Sequence, residues 1–217
     1  TAEVQAIVDA ANAIKANADG IASNNATNPT QAQYAALGVT GVDSAAKESL
    51  LGDVIDAKAY SAVDSTPEIQ ALAAAVAAVM TGAAGNTAPT LAQLQSLGIT
   101  GVTADNLPAI QAAIANTAND GSEVDSLTEL QGVVTAAATA AAAALVIIAA
   151  AAEADSAGTT PAIADFTAAG VIGVDADNLA AISSALNTAA VNGIAADSTA
   201  EVQAIVDAAN AIKANAD

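Results

Sequence analysis

The sequence predicts an all-α chain of tandem three-helix bundles joined into an elongated repeat array, and three observations predict it. The nineteen residues TAEVQAIVDAANAIKANAD occupy positions 1–19 and recur, letter for letter, at 199–217, a 198-residue period that reads as a tandem array with the last segment opening the next copy. Packing can force Val4, Ile7, Val8 and Ile14 to recur; solvent-side Asn12, Lys15 and Asn17 lie beyond its reach. Apolar residues follow the helical i, i+3, i+4, i+7 rule through one segment after another. Serine–glutamate capping boxes, prolines and glycines punctuate those segments at matching positions.

The first segment of each repeat, helix A, opens on Ser65/Glu68, Ser126/Glu129 or Ser198/Glu201 and continues x-x-Glu-(Ile/Leu/Val)-Gln; Thr1 to Gln5 is the same start. Its stripes run through Val4, Ile7, Val8, Ala11 and Ile14, or Ile69, Leu72, Ala73, Val76 and Met80. Helix B lies between Pro29 and Gly38, Pro89 and Gly98, and Pro161 and Gly170. Proline preset in the first turn and left-handed glycine past the end are the expected punctuation of two turns of helix. Tyr34, Leu94 and Phe166 give each helix B one large apolar anchor, and Val39, Ile99 and Val171 supply a C-cap contact.

Helix C starts near Asp43, Thr103 and Asp175 as candidate N-caps. Its stripes are Leu50 and Val54; Leu107, Ile110 and Ile114; and Leu179, Ile182 and Leu186. Lys47 stands where the other repeats carry Leu107 and Leu179, so the first repeat is expected to pack differently there. The boundaries are then 1–65, 66–126 and 127–198, with 199–217 beginning the next copy. The third repeat is longer by eleven residues, close to three helical turns, all between Ser126 and Pro161. Its helix A, 127–154, is expected to be the longest, about 40 Å at 1.5 Å per residue.

Composition narrows function. Four lysines, no arginine and 23 acidic residues leave a net charge of −19, which repels nucleic acid and anionic lipid and tolerates a divalent-cation atmosphere. With 54% hydrophobic residues the chain should fold, and with three aromatics its core must be aliphatic and its helices close. The absence of cysteine excludes disulfides and thiolate metal sites, and the absence of histidine and arginine removes the usual catalytic bases and clamps. No enzymatic activity and no cofactor are expected, and no sizeable concave pocket in such narrow bundles.

Two features carry a chemical alternative. The uncharged run 130–152 is long enough to span a membrane, yet it is mostly alanine and lacks flanking basic residues and interfacial aromatics, so a soluble, largely buried helix is expected. Asp175, Asp177 and Asn178, with the related Asp105 and Asn106, have calcium-ligand chemistry but not the spacing of an EF-hand loop, and capping accounts for the same residue types. No metal site is assigned.

The order helix B, GVTGV turn, helix C, Asp-Ser capping box, helix A resembles the GA-type three-helix module, the albumin-binding unit of some bacterial surface proteins. The resemblance implies a left-handed bundle and surface display; no albumin-binding residue carries over. At whole-chain scale the acidic, alanine-rich repeats with GVTGV, ADNL and STAEVQA phrases resemble the repeat regions of giant bacterial surface proteins, including type I-secreted adhesins. These likenesses imply an extracellular or cell-surface stalk whose partners are adjacent copies of the same repeat, with lateral self-association. The alternatives are a filament assembled from separate subunits and a GA-like module that binds a host or matrix protein.

Overall fold

The computed structural model describes residues 1–22, 27–153 and 160–216. These form ten α-helices and two short 3₁₀ turns, with a single isolated bridge between Asp19 and Ala59 and no strand among the described residues. Helix A is represented by α1 (Ala2–Asn17), α4 (Thr66–Ala83), α7 (Leu127–Glu153) and α10 (Thr199–Ala216). Helix B is represented by α2 (Gln31–Ala36), α5 (Leu91–Ser96) and α8 (Ile163–Ala168), and helix C by α3 (Ala45–Asp56), α6 (Leu107–Ala115) and α9 (Leu179–Leu186).

The chain divides into two compact units, Thr1–Thr100 with Ala113–Val134, and Gly101–Ala112 with Thr135–Asp217. In the first, α1 packs on α2 and α3, α3 on α4, and α4 on α5. Tyr34, Leu50, Leu51, Val54, Ile55, Val76, Val79 and Leu94 are fully enclosed there. In the second, the C-terminal part of α7 (Ala144, Ile148, Ala152) meets Phe166 and Val171, Ile182 and Leu186 of α9, and Val202 and Val206 of α10 in one aliphatic cluster.

Several local expectations shift. The prolines precede the helix B cap instead of sitting inside the first turn. Thr30 and Thr90 are the N-caps and form reciprocal boxes with Gln33 and Gln93, in which the cap N–H donates to the glutamine Oε1 at 2.8 Å. Ala162 has no side-chain oxygen for that role, but its N–H still reaches Asp165 Oδ2 at 2.7 Å. Helix C begins at Ala45 in the first repeat, where Ser44 caps it and Lys47 pairs with Asp43 at 2.6 Å. It begins later, at Leu107 and Leu179, in the others.

The long helix occupies 127–153, as expected, but it is not largely buried. Only 22% of its most apolar 18-residue window is enclosed, and Val146 and Ile147 are exposed. Its buried residues, Leu130, Val134, Ala141, Ala144 and Ile148, follow a single stripe, so alanine on the other faces raises mean hydropathy without needing cover. By length and composition this helix is able to cross a membrane. Asn17, expected on the solvent side, is buried, and its Nδ2 donates to Gly52 O at 2.8 Å.

Candidate functional site

The recurring structural device is the junction between a helix B turn and the following helix A. All three helix B segments end in a Schellman turn: the Gly38, Gly98 and Gly170 N–H groups donate to Ala35, Gln95 and Thr167 carbonyls, and the Val39, Ile99 and Val171 N–H groups to Tyr34, Leu94 and Phe166. Gly38, Gly98 and Gly170 all have φ near +80°. Gly170 has a second constraint, because a Cβ there would sit 2.6 Å from Ala109 N and press on Pro108.

Across that turn reaches the glutamine of the x-x-Glu-(Ile/Leu/Val)-Gln start. Gln70 Oε1 accepts the Thr40 N–H at 2.8 Å while its Nε2 donates to Thr40 O at 3.2 Å. Gln131 holds Thr100 the same way at 2.9 and 3.2 Å, and Gln203 holds Ile172 at 2.9 and 3.1 Å. An amide side chain carries an NH₂ donor group beside a carbonyl acceptor, so it satisfies both backbone groups of a turn residue that no helix or sheet can serve. Thr66 and Thr199 add a hydroxyl bond to the carbonyls of Leu37 and Ala169. Sequence reasoning found the glutamine as part of a repeated start and missed its task; its recurrence thirty-odd residues after each GVTGV-type turn was the available signal.

The helix starts also gather carboxylates. Besides the Ser126/Glu129 and Ser198/Glu201 boxes, the Leu127 N–H donates to Asp53 Oδ2 at 3.1 Å and the Thr199 N–H to Asp105 Oδ1 at 3.2 Å. Acids drawn from distant segments thus meet the positive end of a helix. Their crowding holds Asp197 above the ordinary carboxylate range, through desolvation, a hydrogen bond with Glu201 and the charges of Glu201 and Asp105. Asp125 is raised for the same reasons beside Glu129, Asp53 and Asp120. Glu201 is held below its usual value, first by the Ser198 hydroxyl.

The residues with calcium-ligand chemistry bond to one another and to the backbone just ahead of α9, whose N-cap is Asn178 and not the expected Asp175. Asp175 Oδ1 accepts the N–H groups of Asp177 and Asn178 at 2.9 and 3.0 Å, and Asn178 Nδ2 donates to Gly173 O and Asn210 Oδ1. Asn106 Nδ2 donates to Gly101 O at 2.8 Å, while Asp105 serves α10. Among the described residues, no group of three or more acids is placed to hold a metal ion.

Contrary to the expectation of no sizeable pocket, the second unit carries an open groove of about 740 Å³ between Asp105, Pro108 and Gln111, the Gly170–Ile172 turn, and Thr199, Gln203 and Asp207. It forms because α6 approaches the turn closely at Gly170 while the side chains between them are small. Its polar rim is engaged with the fold: Asp105 takes the Thr199 N–H, the Thr199 hydroxyl goes to Ala169, and Gln203 bonds Ile172 and Asp207.

No known protein family matches this chain, and neither a curated protein nor a solved structure does.

Proposed function

We propose that this chain is a length of a non-enzymatic structural repeat region, the stalk or fibre of a secreted bacterial surface protein displayed outside the cell. The observation that carries the reading is the return of nineteen identical residues after 198, at a point where the same capping, turn and helix signals begin again. Residues 1–65, 66–126 and 127–198 are its helical repeats, and 199–217 starts the next copy. Local cores and the glutamine junctions support it, since repeats that satisfy their own polar groups can be added in series with near-neighbour energetics. A net charge of −19 keeps long arrays apart at low salt and lets screening or cations bring them together. The long apolar helix acts in this reading as a brace outside any bilayer, because it lacks basic and aromatic anchors.

The size of the native polypeptide on a denaturing gel tests the proposal. A very large chain is expected. A species near the 20.6 kDa of these residues would overturn it in favour of a filament built from separate subunits, a reading that the exposed Val146 and Ile147 of α7 favour as lateral contacts.

A further inference from the structure

The two copies of the nineteen-residue segment have the same side chains and opposite surroundings. In α10 the N-terminal half is covered: Val202 and Val206 are fully buried against Phe166, Ile182 and Leu186, and Gln203 clamps the turn at Ile172. In α1 the matching Val4, Ile7 and Val8 are 59%, 48% and 45% exposed, and the Gln5 side chain bonds along its own helix, donating to Asp9 at 2.8 Å. The C-terminal halves reverse the pattern. Ile14 is 2% exposed in α1 and Asn17 holds Gly52, whereas Ile212 is 72% exposed and Asn215 bonds back to Ala211.

Val4, Val8 and Ile14 are therefore each covered in one copy of the segment, and Ile7 in part, since its counterpart Ile205 packs half-buried against the cluster around α10. The two covered stripes, residues 4, 8 and 11 against 10, 14 and 17, lie about a third of a turn apart at about 100° per residue and are offset along the axis, so neither cover blocks the other. α4 already combines them. Ile69 and Ala73 are buried in its first half, where Gln70 clamps Thr40, and Val79 and Ala83 are buried in its second half, with α3 and α5 packed on it.

We propose that the bare face of α1, Val4, Ile7 and Val8, is the docking surface for residues 160–198 of another copy of this chain. One nineteen-residue segment then serves as the last helix of one bundle and the first of the next. This rests on the array reading above and adds how its copies join: through a shared helix in place of a flexible linker.

The chain has no cysteine, so one introduced thiol reports one site. In the 217-residue chain, Val4→Cys and Ile212→Cys should react with a small maleimide as free thiols do, and Val202→Cys and Ile14→Cys at least about tenfold more slowly. The deciding protein is two periods long, residues 1–198 followed by 1–217, with the cysteine in its middle segment at either the valine or the isoleucine position. Both sites should be slow, and the urea midpoint of the unsubstituted two-period protein should exceed that of the single chain. A middle isoleucine site that labels as fast as Ile212→Cys overturns the shared helix, as does an unchanged or lower midpoint or a two-period protein that does not fold. Such a result leaves the gel test of chain length untouched, so failure of the junction and failure of the array are distinguishable.

Discussion

α1 and α10 offer a comparison that few proteins contain: one stretch of sequence, placed twice, with its apolar stripe covered at opposite ends. Helix propensity, charge pattern and hydrophobic periodicity are identical, and both stretches are helical over nearly the same span. What differs is the neighbour. The stripe marks where a helix is able to pack, and the adjoining B and C segments decide which half does so. Stability should therefore respond to position in the chain even where the substituted residue and its sequence context are the same.

The largest contrast is expected at the shared isoleucine. Ile14→Ala should cost about 2–5 kcal/mol of unfolding free energy in urea, the range for truncating an enclosed aliphatic side chain. Ile212→Ala should stay within about 0.5 kcal/mol, as surface changes do. Equal costs would break the comparison.

Gly170→Ala removes the cover from α10 and leaves α1 alone. Left-handed strain and the encounter with Ala109 and Pro108 should together cost about 2–3 kcal/mol. Gly38→Ala, with open space around its Cβ, isolates the strain at about 1–2 kcal/mol. Near-equal midpoints for the two variants would mean that the close approach at Gly170 is not tight in solution.

Val202→Ala comes next, at about 1.5–2 kcal/mol for two lost methyl equivalents, against little change for Val4→Ala. The clamp is smaller still. Gln203→Ala should lose about 1 kcal/mol, the low end for its two solvent-exposed hydrogen bonds to Ile172, and Gln5→Ala less than half of that. Thermal unfolding of the four variants orders them.

The smallest effect is electrostatic and belongs to the start of α10. Asp197 titrates above its ordinary value in the folded chain, so its ionised form works against folding at neutral pH, and that opposition is relieved as pH falls through the raised value. Glu201 has the opposite sign: its lowered value means stability present above the usual glutamate range and lost on further acidification. Asp197→Asn should therefore raise the midpoint at pH 7, with the gain shrinking as the solution is acidified through the raised Asp197 value. A gain that grows on acidification contradicts this assignment.

Much of the fold was legible because helix-forming signals in this chain are local. Ser65, Ser126 and Ser198 mark the helix A starts, Gly38, Gly98 and Gly170 mark the helix B ends, and the eleven extra residues lengthen α7 as the 3.6-residue repeat requires. Positions set by contacts distant in sequence were not legible. Asn17 reads as a surface residue until Gly52 is placed beside it, and Asn12 reads as idle until its counterpart Asn210 donates to Gly173 O. Some of the polar identity between the two segments thus has a structural cause. Burial of α7 was overestimated because alanine counts as apolar in a periodicity argument and yet is tolerated in water. The groove at Asp105 and Gly170 was missed because it depends on α6 meeting a turn more than sixty residues away.

Residue-resolved amide exchange of the 217-residue chain by nuclear magnetic resonance tests the central claim most directly, since protection follows local cover. Protection is expected to rise toward the C-terminal end of α1 and to fall toward the C-terminal end of α10, mirror profiles on one sequence. Superimposable profiles across the two segments would contradict the claim that neighbours, and not the segment itself, decide which half is held.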